Sequence, residues 1–204
     1  RIGADNEING MTFGGVGAGT VIENCEVALN LDDGFEFFGG TANAKYLSCL
    51  FVGDDCFDTD KGYQGKLQFL YAMLGTNGHH ACEMDGNKDN VDLVRSFPQV
   101  MSATFIGSAD NVGSSSGEHD AMMRLREGTG GKFGNIVMAK KAGVRGIKYN
   151  TWAGSGTSAT QDLSQCVDES WLYVSSLTAM GDVDGTAPLF SDSSCSISGY
   201  CPTL

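Results

Sequence analysis

Five short segments of the 204-residue chain carry one repeated pattern: an apolar residue, a charge, then usually another apolar or small residue. They are Asp33-Gly34-Phe35-Glu36-Phe37, Asp55-Cys56-Phe57-Asp58-Thr59, His80-Ala81-Cys82-Glu83-Met84, Ala121-Met122-Met123-Arg124-Leu125 and Gly143-Val144-Arg145-Gly146-Ile147. The first two steps, from Asp33 to Asp55 and from Asp55 to His80, are 22 and 25 residues. A repeat of 20–50 residues signals a solenoid, in which a repeat buries its apolar face only against its neighbours. Short alternating apolar runs make the expected solenoid a stack of strands rather than helices.

The first coil reads Ile8 to Phe13, followed by the bend Gly14-Gly15-Val16-Gly17-Ala18-Gly19. No Lys-Ser/Thr and no helix signal follow these glycines, so they read as a sharp corner and not as a phosphate loop. The period stretches to 40 residues from Ala81 to Ala121, and polar insertions near 86–98 and 108–119 account for it. It recovers to 21 residues from Met123 to Val144. Phe35, Phe37, Phe57, Phe69 and Phe105 read as an inward ladder. The expected division is coils over 1–152 and a C-terminal cap over 153–204, built on Trp171, Tyr173, Leu189 and Phe190. The sequence opens at Arg1 without Met and without a capping helix, so it reads as a processed chain or a fragment with residues before Arg1.

Glycine, 29 residues, is roughly twice as frequent as usual, while proline is only 3, which suits many tight turns in an ordered chain. The net charge of −12 argues against nucleic acid, because phosphate binding needs clustered Lys and Arg. It also argues against an anionic membrane surface, and no run of ~20 apolar residues predicts a transmembrane helix. Of the seven cysteines, Cys195 and Cys201 close a short Gly/Ser-rich tail segment, with Cys166 a third candidate. That clustering points to disulfides and an oxidising, extracellular or cell-surface location. Cys25 and Cys49 are placed to stack in adjacent coils. No Cys/His spacing of a structural zinc site occurs.

Coils of such a stack lie ~4.8 Å apart, so equivalent side chains form rows. Glu36, Asp58 and Glu83 form one outward row, with Asp60 and Asp85 two residues on. Carboxylates this close repel, and something must offset them. One answer is a cation, for which hard oxygen ligands favour Ca²⁺. Another is the basic continuation of the face in Arg124, Arg126, Arg145 and Lys148. The row reads either as a solvated face with lateral ion pairs or as a ligand groove. A second cluster, Asp32-Asp33, Asp54-Asp55 and His79-His80, stacks at the corner before each strand. Paired carboxylates there can serve as acid and base, or simply as turn residues.

These strings resemble the right-handed parallel β-helix superfamily of pectate lyases and polygalacturonases, and in particular secreted bacterial-type β-helix proteins of unassigned role. The resemblance rests on Gly14 to Thr20, Asp32 to Gly40 and Gly53 to Asp60, and covers residues 8 to 150 or so. It implies an all-β right-handed parallel β-helix. A looser similarity to polygalacturonases follows the order Asn30-Leu31-Asp32-Asp33, Asp54-Asp55, Gly78-His79-His80 and Arg145-Gly146-Ile147-Lys148. Gly-His-His stands there for that family's Gly-His-Gly, and Gly146 splits the basic motif. By that similarity one of Asp54 and Asp55 is the general acid, Asp33 with the other activates water, and Arg145 and Lys148 bind a uronate carboxylate. His79 completes the catalytic set, and Arg124 and Trp152 the substrate-binding set. A lyase would instead use Ca²⁺ with Arg124 or Arg145 as base.

The expected function is a secreted or cell-surface β-helix with a structural, assembly or glycan-binding role. Its partners would be extracellular polysaccharide, neighbouring domains or further copies in a filament. The alternative is a polysaccharide hydrolase or lyase. An enzyme needs Asp33, Asp54, Asp55 and His79 converging in an open groove. A structural module would have those acids engaged by backbone or by a cation. Tyr46, Tyr63, Tyr149 and Trp152 are the aromatics to examine for sugar stacking.

Overall fold

The computed structural model describes residues 7–86, 96–108, 119–127, 129–140, 144–149, 172–180 and 190–192. Seven short strands form one parallel sheet: β1 (Met11–Gly14), β3 (Phe35–Phe38), β5 (Phe57–Asp60), β7 (Cys82–Asp85), β9 (Ala121–Arg126), β11 (Arg145–Tyr149) and β13 (Phe190–Asp192). Six longer strands form a second: β2 (Val21–Ala28), β4 (Asn43–Leu50), β6 (Lys66–Met73), β8 (Gln99–Ile106), β10 (Gly131–Ala139) and β12 (Leu172–Met180). Odd and even strands alternate along the chain, and every pairing is parallel to the next coil. This is a parallel β-helix, as the repeat predicts. Strands β12 and β13 carry both sheets past residue 152, while most of the expected cap, with Trp171, Leu189, Cys166, Cys195 and Cys201, lies outside the described residues. No helix among the described residues is long and apolar enough to cross a membrane.

Alternation along each strand sends one row inward. In the first sheet Phe35, Phe57, Cys82, Met123 and Ile147 stack in register and are buried. Opposite them Ile22, Ala44, Leu67, Val100 and Phe133 form a row, and Val27, Cys49, Ala72, Phe105 and Met138 another. Rings stack along the axis, with Phe35 on Phe57 at 5.5 Å and Phe13 on Phe37 at 4.7 Å. Tyr63, one of the aromatics to examine for sugar stacking, is fully buried beside Phe37, its hydroxyl donating to the Ala42 carbonyl at 2.7 Å. A buried Tyr needs such an acceptor.

Five of the long strands, β2, β4, β6, β8 and β10, bend at one height. Asn24, Tyr46, Phe69, Ser102 and Asn135 all have φ between 53° and 59°, and pairing skips them. The left-handed bend disfavours residues with a Cβ, yet it turns the strand around the core alike in these five coils. Phe69 sits in this column, not in the core, because the bend interrupts alternation; it is 42% exposed and stacks on Tyr46 at 4.9 Å. Cys25 and Cys49 do not share a row either: Cys25 faces Leu47, and Cys49 faces Val27. Both are free thiols.

The inward rows hold the stack together, and the outward pair adds little. Phe57→Ala should destabilise by about 3–5 kcal/mol through its cavity, and Tyr46→Ala by only about 1 kcal/mol through its exposed stack. Urea unfolding of the two variants checks the contrast; equal losses would contradict it.

Candidate functional site

Glu36, Asp58 and Glu83 form the expected row, and the register continues it through Arg124 and Lys148. The fifth coil enters three residues later than its sequence echo suggests. Ile147, not Val144, pairs with Met123, so Lys148 follows Arg124 in the row and Arg145 pairs with Ala121.

The row is not a solvated face. Glu36, Asp58 and Glu83 are 8%, 9% and 6% exposed. Side chains from the adjoining coils lie over it: Asn9 donates to Glu36, and Arg126 reaches Glu83 and, at 2.6 Å, Asp85. Arg124 adds a 3.4 Å contact to Glu83. Asp60, in contrast, pairs with Lys61 at the strand end. Arg145 and Lys148 both converge on Asp120, Lys148 at 2.9 Å. Asp120 escaped the sequence reading because it sits beside an insertion, one residue ahead of the strand pattern.

The corner cluster is built from backbone upward. The Asp33 carboxylate accepts the N–H of Asp55 at 3.0 Å, and the Asp55 carboxylate accepts the N–H of His80 at 2.6 Å. Each acid therefore ties its own corner to the next. Asp55 also meets Nδ1 of His80 at 2.8 Å, and His80 is fully buried. His79 bonds to Asp54 instead, and its ring meets His119 edge-on at 4.7 Å. His80, missed as a site residue, is the one that extends the Asp33–Asp55 column; the 25-residue step already placed it there. Asp54, Asp55 and His79 bring ligand atoms within 4.8 Å of one another, as do Asp32, Asp33 and Asp54. The cleft beside His79, lined also by Leu74, His119, Met122 and Val144, has room for about one water molecule. Trp152 lies outside the described residues, and of Tyr149 only the backbone is described.

Burial dominates the electrostatics. It pushes Asp33 up to about 9, aided by Asp55 and Asp54. It pushes Glu36 up to about 7, aided by Asp32 and Asp60. It holds Asp58 well above the usual range, with Asp33 and Asp85 adding to it. Burial would raise Asp55 too, but the His80 charge and hydrogen bonds outweigh it and hold that carboxyl low. Asp85 reaches about 6, its burial countered by Arg126. Asp33 and Asp55 are thus pushed apart, the polarity an acid–base pair needs, although both are buried.

Fold and site together define a parallel β-helix with a covered acidic ladder on its short-strand sheet. A family model, the pectate-lyase like beta helix domain, matches residues 1–180, and the chain belongs to that family. No curated protein and no solved structure matches it.

A folded state that holds Asp33 and Glu36 protonated binds protons that the unfolded chain releases near pH 4. Stability in chelator-treated buffer should therefore fall as pH rises from about 5 through 7 to 9. Urea midpoints at these three pH values check this; a midpoint that climbs over the interval would contradict the assignment.

Proposed function

We propose that the chain is a structural β-helix, secreted or at the cell surface, that scaffolds assembly with neighbouring domains, with further copies or along an extracellular polysaccharide. One observation carries the reading: Asp33 and Asp55 are buried, and their carboxylates are bound to the backbone of the following coil. A general acid or base must reach its substrate, and these two are engaged in joining coils. Among the exposed aromatics, Tyr46 and Phe69 stack within 4° of parallel, so one face of each ring is taken up by the other.

A second reading, a polysaccharide hydrolase, draws on the gathering of Asp54, Asp55 and His79, of which Asp54 and His79 are partly exposed. The two readings separate on a panel of acidic and neutral polysaccharides, comparing the parent with Asp55→Asn. The structural reading expects no chain shortening by either protein, and a lower melting temperature for the variant. Cleavage by the parent, lost in a variant that keeps its β-sheet circular dichroism, would overturn it in favour of the hydrolase.

A further inference from the structure

The acidic ladder is neutralised unevenly. Glu83 and Asp85 lie under Arg124 and Arg126. One coil earlier the pattern stops: among the described residues no Lys, Arg or His forms an ion pair with Asp33, Glu36 or Asp58. Oxygen atoms of these three carboxylates all lie within 4.8 Å of one another. Asp58 stands in the middle of the acidic row, in register with Glu36 on β3 and Glu83 on β7. It is only 9% exposed, and its Oδ1 is fully buried with no hydrogen-bond partner. A buried polar atom of this kind is rare in a folded chain and calls for a specific explanation. For a carboxylate the penalty is larger than for a neutral group.

We propose that Asp33, Glu36 and Asp58 form a closed site for a hard divalent cation, Ca²⁺ by ligand type, that clamps β3 to β5. All donors are carboxylate oxygens, the ligand class Ca²⁺ takes in sets of six to eight with water completing the shell. The hydrogen bonds already present fit this role. The Asp55 N–H fixes Asp33, and the Asn9 amide fixes Glu36. Each leaves its acid a second oxygen to turn toward Asp58, as outer partners orient metal ligands. Burial of the ligands makes the ion a brace between coils and not a contact for substrate. Arginine and cation thus divide the ladder between them, the cation serving the half that the arginines do not reach. The expected ligands Glu83, Asp85 and Asp60 fall outside this site, since Arg126, Arg124 and Lys61 already face them. The inference does not depend on the proposed function: a cleaving and a non-cleaving β-helix would equally use such a brace.

The test is the melting temperature and titration calorimetry of chelator-stripped chain with CaCl₂. The variants are Asp58→Asn, Glu36→Gln within the site, and Asp60→Asn outside it. At about a hundred times its Kd, Ca²⁺ should raise the parent melting temperature by about 5–10 °C. Asp58→Asn should lose both the shift and the binding heat, and without Ca²⁺ it should melt no lower than the stripped parent, because folding then no longer has to bury or protonate that carboxylate. Glu36→Gln should weaken binding by about tenfold or more, which keeps the test decisive where Asp58→Asn does not fold. Asp60→Asn should respond as the parent does. No binding heat and no shift in the parent would overturn the site, as would a full Ca²⁺ response in Asp58→Asn or Glu36→Gln.

Discussion

The whole structure depends on in-register parallel pairing of each coil with the next. Once Phe35 pairs with Phe57, the chain has no freedom left about what stands over what: Glu36 meets Asp58, and Phe37 meets Thr59. With coils ~4.8 Å apart, a favourable contact is repeated, and so is an unfavourable one. Stacked rings inside and stacked carboxylates outside are two results of one rule. The interior gains from repetition, because apolar rows close on themselves. The acidic row cannot, and the chain answers it with the Asn9 amide at Glu36 and arginines at Glu83 and Asp85.

The two sheets solve the bending of the coil in different ways. Short strands of the first sheet end at corners, where glycine or a left-handed residue turns the chain. At Gly34 a Cβ would come within 2.3 Å of the Cys49 sulfur, so the chain there passes too close to the second sheet for any side chain. Long strands of the second sheet bend within themselves at the Asn24–Asn135 column. Asn135 donates to Ser102 at 3.1 Å along that column, and Tyr46 and Phe69 stack, so the strained positions recover some energy from one another.

Much of this was legible in sequence. Alternation and the 22- and 25-residue steps place Phe35, Phe57 and Cys82 in one row and Glu36, Asp58 and Glu83 in another, because strand geometry leaves no other arrangement. The fifth coil misleads because Val144-Arg145-Gly146 and Ile147-Lys148-Tyr149 both begin with an apolar residue followed by a charge. Only the pairing of Ile147 with Met123 decides between them. Phe69 misleads because alternation assumes an unbroken strand. The arginine half of the cover was legible, since Arg124 and Arg126 continue the acidic face and Asp85 pairs in register with Arg126. The Asn9 amide on Glu36, 27 residues away, was not, because periodicity says which side a residue faces and nothing of what a neighbouring loop lays over it.

The connections between strands are unequal in length. Residues 61–65 join β5 to β6, whereas 86–98 join β7 to β8; residues 74–81 join β6 to β7, whereas 107–120 join β8 to β9. Register nonetheless resumes without slip, with Cys82 opposite Met123. Loop-closure cost grows only with the logarithm of length, about 0.6 kcal/mol for each doubling, so added length between strands need weaken the stack very little. Such a rod can therefore carry extra chain at its corners while its rows stay fixed, which makes corner length the cheapest variable of the fold and row composition the dearest.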